Sequence, residues 1–420
     1  MSLSLVHAQS EQLPQYGPDK HLGVSSCASS QCHGAVRDYK ESNIWRNEYR
    51  IWSREDPHAK AYSVLKTKAS RKMAAYLGLK SAHEAKICLD CHTDNISEEL
   101  RGRKFRISDG VGCEACHGGA ERWIKSHTTK DVTHAENVEK GLFPSEVPTS
   151  RAALCQSCHY GDNSKFATHA IMSAGHPRLS FELDTFTLTQ VHYDIDEDYL
   201  KRKTFPGNVS TWVAGVAQNA SQNLEVINGL LFVEPGIFPE IALFDCHACH
   251  HAMDDKRLSK RATTVALPPG AIRLNDSALV MLYIISQHVS PAESDSYLKS
   301  IHALHKATLV GRQAVLDASG NLAVQIQKIK KDVVRFDYTP AKIAALRKSL
   351  FEFGRKGEFR DYSGAEQATM AVDLLTFALN EEEKFKQQLD RLYKVLENES
   401  NYSPPDFAGA MRDFGAVAGN

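Results

Sequence analysis

No cysteine in this chain stands alone. All ten fall into five pairs, and the second member of every pair is followed at once by histidine. No run of residues is long and apolar enough to span a bilayer, so no transmembrane segment is expected. Neither sign of charge is in excess. Lys and Arg number 50 against 51 Asp and Glu, a net charge of -1, which argues against a nucleic-acid partner. Apolar residues make up only 42 % of 420, a low share for a chain of this length. Something other than side chains is needed to complete a core.

The paired cysteines supply the candidate. Cys88-Leu89-Asp90-Cys91-His92, Cys113-Glu114-Ala115-Cys116-His117, Cys155-Gln156-Ser157-Cys158-His159 and Cys246-His247-Ala248-Cys249-His250 share one spacing. Cys-x-x-Cys-His is the attachment signature of c-type haem: two thioethers to the porphyrin, with the next residue as an iron ligand. Cys27 to Cys32, followed by His33, is a variant with four intervening residues. Zinc sites combine one such pair with a second, which five pairs cannot do evenly. Disulfides do not require the histidines. The reading is therefore five covalent haems c, each with iron, on Cys27, Cys32, Cys88, Cys91, Cys113, Cys116, Cys155, Cys158, Cys246 and Cys249. Their proximal ligands are His33, His92, His117, His159 and His250. Glycines beside the third motif, Gly110, Gly112 and Gly118, suit close approach of backbone to a flat macrocycle.

The expected fold is mainly α, a haem-cored region with little sheet followed by a C-terminal helical bundle. Residues 1–20 read as a signal-peptide remnant and lead-in, with Val6-His7-Ala8 fitting a small-residue cleavage site. The haem region spans 21–265. It holds a helix expected over 211–231, a short one near 169–175 stopped by Gly175, and loop or weak strand over 180–210. Leu267-Pro268-Pro269-Gly270 marks a boundary. Residues 271–400 read as four or five helices, with Ser290-Pro291 and Thr339-Pro340 as start signals. Phe385, Leu389, Leu392 and Leu396 form a helical stripe suited to core packing. Residues 401–420, with Pro404-Pro405, read as a tail.

The other axial position of each iron decides what it does. A second imidazole gives a low-spin, low-potential iron closed to substrate, and an open position permits small-molecule chemistry. Of the histidines outside the motifs, His58, His127, His169, His176 and His251 are the best placed, since each follows a haem motif closely or lies in an aromatic-flanked stretch. His134, His192 and His288 are reserves. His302 and His305 read as solvated on a charged helix face.

A first haem motif followed by Trp52 and His58-Ala59, then Gly-Val-Gly-Cys-Glu-Ala-Cys-His-Gly at 110–118 and His127, resembles the cytochrome c-554 family of tetrahaem electron carriers. The resemblance covers roughly residues 20–160. It implies that His127 ligates the haem of His33, that His58 ligates the haem of His117, and that the haem of His92 is five-coordinate. The fifth motif, the longer first spacing and the helical C-terminal region depart from that pattern.

The leading expectation is an exported, periplasmic electron carrier serving redox partner proteins, because c-type haem is attached outside the bacterial cytoplasm. The alternative is a reductase or oxidase of a small nitrogen or sulfur oxo-compound at an open His92 iron. A structural subunit of an electron conduit is a third class.

Overall fold

The computed structural model describes residues 12–37, 45–189, 192–229, 238–250, 267–268 and 271–419. The chain divides into two compact units. One comprises Met1–Cys158, Ala170–Pro177 and Leu188–Phe205, and the other His159–His169, Arg178–Thr187 and Pro206–Asn420. Among the described residues there is no sheet, only single bridges such as His21 with Arg101 and Phe244 with Leu274. None of the described helices is long and apolar enough to cross a membrane.

The first unit is built from short helices: α1 (Glu48–Glu55), α2 (Ala61–Val64), α3 (Lys68–Tyr76), α4 (Lys86–His92), α5 (Cys113–His117), α6 (His134–Glu139) and most of α7 (Pro148–His159). Its apolar cluster is small, with Leu65, Ala74, Ala82 and Leu89 buried at its centre. Polar staples do much of the joining. The buried Glu114 carboxylate accepts from the backbone N–H of Leu22, Gly23 and Ala120 at 2.7, 2.7 and 2.9 Å. His21 and Asp94, both buried, meet at 2.7 Å. Buried polar joints of this kind fix one geometry but add little net stability.

Residues 180–210, expected as loop or strand, instead form α9 (Leu183–Leu188) and α10 (Glu197–Arg202). Asp196 caps α10 by accepting from the Tyr199 N–H at 2.8 Å. That capping signal outweighs the loop or weak-strand reading of the sequence. The expected helix near 169 is α8 (His169–Ser173), ended by Gly175 at φ 113°.

In the second unit, α11 (Asn208–Asn228) and α12 (Ser277–Val289) are buried almost all round. Small residues let α11 sit close to its neighbours; a Cβ on Gly215 would lie 2.6 Å from Leu183 Cβ. Around them pack α13 (Pro291–Ala307), α14 (Arg312–Arg335), α15 (Pro340–Arg355), α16 (Tyr362–Ala378) and α17 (Glu382–Lys394). Val315, Leu322, Ile326, Ile329 and Val333 give α14 one apolar face. The stripe of Phe385, Leu389, Leu392 and Leu396 lies in this core, as its spacing suggests. Ser290-Pro291 and Thr339-Pro340 do start α13 and α15.

Two expectations fail here. The supposed tail is α18 (Pro404–Ala418), capped by Ser403 and carrying buried Phe407, Met411 and Phe414. Proline in the first helical turn costs no hydrogen bond, so Pro404-Pro405 begins a helix instead of ending one. His305 is not solvated. It lies on the face of α13 that buries Tyr297, Ile301 and Leu304, with its Nε2 3.1 Å from Asp276.

Phe414 stacks against Phe351 and Phe385, with ring centroids at 4.8 and 5.4 Å. Phe414→Ala is expected to destabilise this unit by about 3–5 kcal/mol, read as a lower midpoint in thermal unfolding followed by circular dichroism. Removal of residues 402–420 is expected to cost more. An unchanged melt after that truncation would show α18 to be peripheral.

Candidate haem-binding clusters

Local structure presents the motifs in two ways. In the second, third and fourth, the cysteines and histidine lie on α4, α5 and the end of α7. Cysteines three residues apart then share one helix face. The fifth opens on a single 3-10 turn, Cys246–Ala248, capped when Asp245 accepts from the His247 N–H at 2.9 Å. In the first, the extra residues form a turn closed by the His33 N–H donating to Cys27 O at 3.1 Å. None of the ten cysteines forms a disulfide.

The histidine rings come in facing pairs. Ring centroids of His33 and His127 are 6.3 Å apart with planes at 10°. His92 and His176 stand at 6.3 Å and 87°. His117 and His192 stand at 6.3 Å and 87°. His169 and His250 stand at 6.3 Å and 27°. The repeated distance has a physical meaning. A metal–imidazole bond is about 2.0 Å and the ring centroid lies about 1.15 Å beyond the nitrogen, so two rings on opposite sides of one metal are about 6.3 Å apart. An edge-on aromatic contact such as Phe359–Phe407 also spans 6.3 Å, so the weight lies in four histidine pairs sharing the value. Each pair joins the histidine of a Cys-x-x-Cys-His or variant motif to one from elsewhere. Among the described residues no three His, Cys, Asp or Glu side chains gather as zinc would need. The residues fit haem.

Second contacts aim the rings. His33 Nδ1 lies 2.9 Å from Glu48 Oε2, His92 Nδ1 3.1 Å from Ala61 O, and His176 Nδ1 2.8 Å from Pro177 O. An acceptor on Nδ1 fixes the tautomer that leaves Nε2 for a metal. His58 is built the same way, with Nδ1 3.0 Å from Asp56 Oδ1. Burial, reinforced by the neighbouring His192, holds His117 down to about 3. Burial also lowers His92. Both therefore stand neutral, which is the ligating form. His33 is raised, chiefly by its Glu48 hydrogen bond.

The elements that carried the family resemblance meet in space. Trp52 Nε1 donates to Val111 O at 3.0 Å, and the Val111 N–H donates to His58 O at 3.1 Å. Gly110, at φ 74°, is required by that approach, since a Cβ there would lie 2.5 Å from His58 O. Its backbone closeness serves another chain segment, where the sequence suggested the macrocycle. The first and third motifs also touch: a hydrogen bond between Cys27 and Cys113, together with burial, raises Cys113.

Where the resemblance implies His58 at the haem of His117 and an open position at that of His92, the rings that face His117 and His92 are His192 and His176. His192 was only a reserve in the sequence, because no local spacing marks it. His134, another reserve, spends its Nε2 on Glu146 at 2.5 Å, and His288 spends its Nε2 on Ser349 at 2.8 Å. His159 packs on Phe181 and Phe186 at 4.8 and 5.7 Å. His251 lies outside the described residues.

Cys-x-x-Cys-His motifs on a helical frame, with imidazoles facing at the span of one metal, are features of c-type cytochromes. Residues 26–118 match the family described as Cytochrome c554 and c-prime, and over that segment the chain resembles this family of haem-based electron-transfer proteins. No curated protein and no solved structure matches the chain.

His192→Ala is expected to turn about one haem equivalent high-spin in the ferric electron paramagnetic resonance spectrum, because it empties one side of the His117 iron. A spectrum that stays wholly low-spin would refute the pairing.

Proposed function

We propose that the protein is an exported pentahaem cytochrome c that relays electrons between redox partner proteins. Each cysteine pair would hold a haem through two thioethers, with His33, His92, His117, His159 and His250 as proximal ligands. His127, His176, His192 and His169 would ligate opposite His33, His92, His117 and His250. His58 and His251 remain proposed as further ligands. When bound, each haem supplies one-electron exchange at its iron.

The observation that carries this reading is the His176 ring at 6.3 Å from His92. An iron held on both sides by imidazole stays low-spin and exchanges electrons without binding substrate. The oxo-compound reductase or oxidase reading depended on an open position at His92, where His176 now stands. The chain's own work is to orient and exclude. Glu48, Ala61 O and Pro177 O lock ring tautomers. Trp123 packs edge-on against His127 at 5.3 Å and limits its rotation. Export follows from where covalent haem is attached.

The pyridine haemochrome assay is expected to give five covalent haems per chain. With His58 or His251 completing the His159 iron, the dithionite-reduced protein is expected not to bind carbon monoxide. A count below five would make the Cys27–Cys32 variant the first suspect. A carbon monoxide adduct of about one haem equivalent would favour the enzyme.

A further inference from the structure

One stretch breaks the local rules of helix design. From Pro57 to His83 the charged side chains are Lys60, Lys66, Lys68, Arg71, Lys72 and Lys80, with no carboxylate among them. Lys68, Arg71 and Lys72 fall in the first half of α3, which has no acidic residue in its first turn. Cations there oppose the helix dipole, and Lys68 with Lys72 is a like-charge pair at the repulsive i,i+4 spacing. Residues 68, 71, 72, 75 and 76 follow one helical face, and all five are exposed. Tyr76 is 69 % exposed. Exposed Val64 and Ile87 belong to the same region. A face that costs its own helix stability is explained by something outside the chain.

The opposite face of α3 leads to the His92 site. Ala74 is buried in one cluster with Leu65, Ala82 and Leu89, the last lying between the cysteines of the second motif. Met73 Cε lies 3.5 Å from where a Cβ on Gly175 would stand, next to His176. Ala61, just ahead of α3, supplies the carbonyl on His92 Nδ1. The basic face thus roofs the His92–His176 pair. The cations at 80 and 86 are partly neutralised by Glu84 and Asp90. No ion pair is formed by Lys66, Lys68, Arg71 or Lys72 with a described carboxylate.

We propose that the Lys68/Arg71/Lys72/Tyr76 face of α3 is the docking surface for an acidic redox protein, which exchanges electrons with the haem held by His92 and His176. The inference rests on the electron-carrier reading above. Electron-transfer encounters are small and short-lived, so charge steering sets their rate more than buried area does. The chain's near-zero net charge leaves a local field as the means of steering. Tyr76 supplies an apolar contact inside the basic rim.

The test is the full haem-loaded protein against Lys68→Glu/Arg71→Glu/Lys72→Glu. Acidic residues in the first turns favour the helix dipole, so this variant is not expected to lose its fold. Stopped-flow reduction by reduced plant-type ferredoxin, an acidic carrier, is the main probe. At low ionic strength its rate constant is expected to fall by about tenfold or more, with a flatter salt dependence. Exchange with mitochondrial cytochrome c, a lysine-ringed protein, is not expected to slow. Tyr76→Ala is expected to slow ferredoxin several-fold with the salt dependence kept. A ferredoxin rate within about twofold of the parent would overturn the proposal. So would loss of binding to phosphatidylserine-containing vesicles with the ferredoxin rate intact, which would mark a membrane surface instead. The haem spectrum of the same samples separates the two readings. Low-spin haem with an unchanged rate rejects the docking face alone, whereas open high-spin haem in the parent rejects the carrier.

Discussion

Two imidazoles bound to one metal cannot choose their separation, and the first unit is built to meet that constraint. Three of its ring pairs, His33–His127, His92–His176 and His117–His192, stand at 6.3 Å. Little else in that unit could hold it. Its apolar cluster is small, its helices are short, and much of the joining is done by Glu114, His21 and Asp94. In the proposed assignment, a distal histidine far from its partner in sequence, such as His176 or His192, would act as a fold staple as well as an iron ligand. Ligand binding and folding become one equilibrium.

The second unit follows the opposite rule over most of its length. Its helices bury a continuous side-chain core from α11 to α18, with aromatic packing among Phe351, Phe385 and Phe414. The facing rings of His169 and His250 sit in the same unit, so a haem position is joined to a core that side chains already stabilise. Removing that haem is thus expected to matter less to the unit's fold than its loss would in the first.

What was readable from sequence divides along the same line. The cysteine pairs and the histidines that follow them stand out in sequence because covalent attachment needs neighbours within one helical turn. His127, His169 and His176, whose rings face motif histidines, had been marked by their nearness to a motif. His192 was not, because a distal ligand is chosen by the tertiary fold and leaves no spacing behind. The packing stripe of α17 was plain, yet α18 was taken for a tail because Pro404-Pro405 was read as an ending. His305 was misplaced for a related reason. A charged helix face suggested water, whereas the register of Tyr297, Ile301 and Leu304 turns His305 inward toward Asp276.

The central claim is that facing imidazoles clamp single irons with the ring angles seen here. Ligand-plane angle shapes the spectrum of low-spin ferric haem: near-parallel rings give a rhombic signal, and crossed rings give a far more anisotropic one. The pairs at 10° and 27° and the two at 87° define two haems of each kind. Electron paramagnetic resonance of the fully oxidised protein at liquid-helium temperature is therefore the most direct test. Both low-spin signals are expected together, each with at least two haem equivalents. A single low-spin type, or a dominant high-spin signal, would contradict the account.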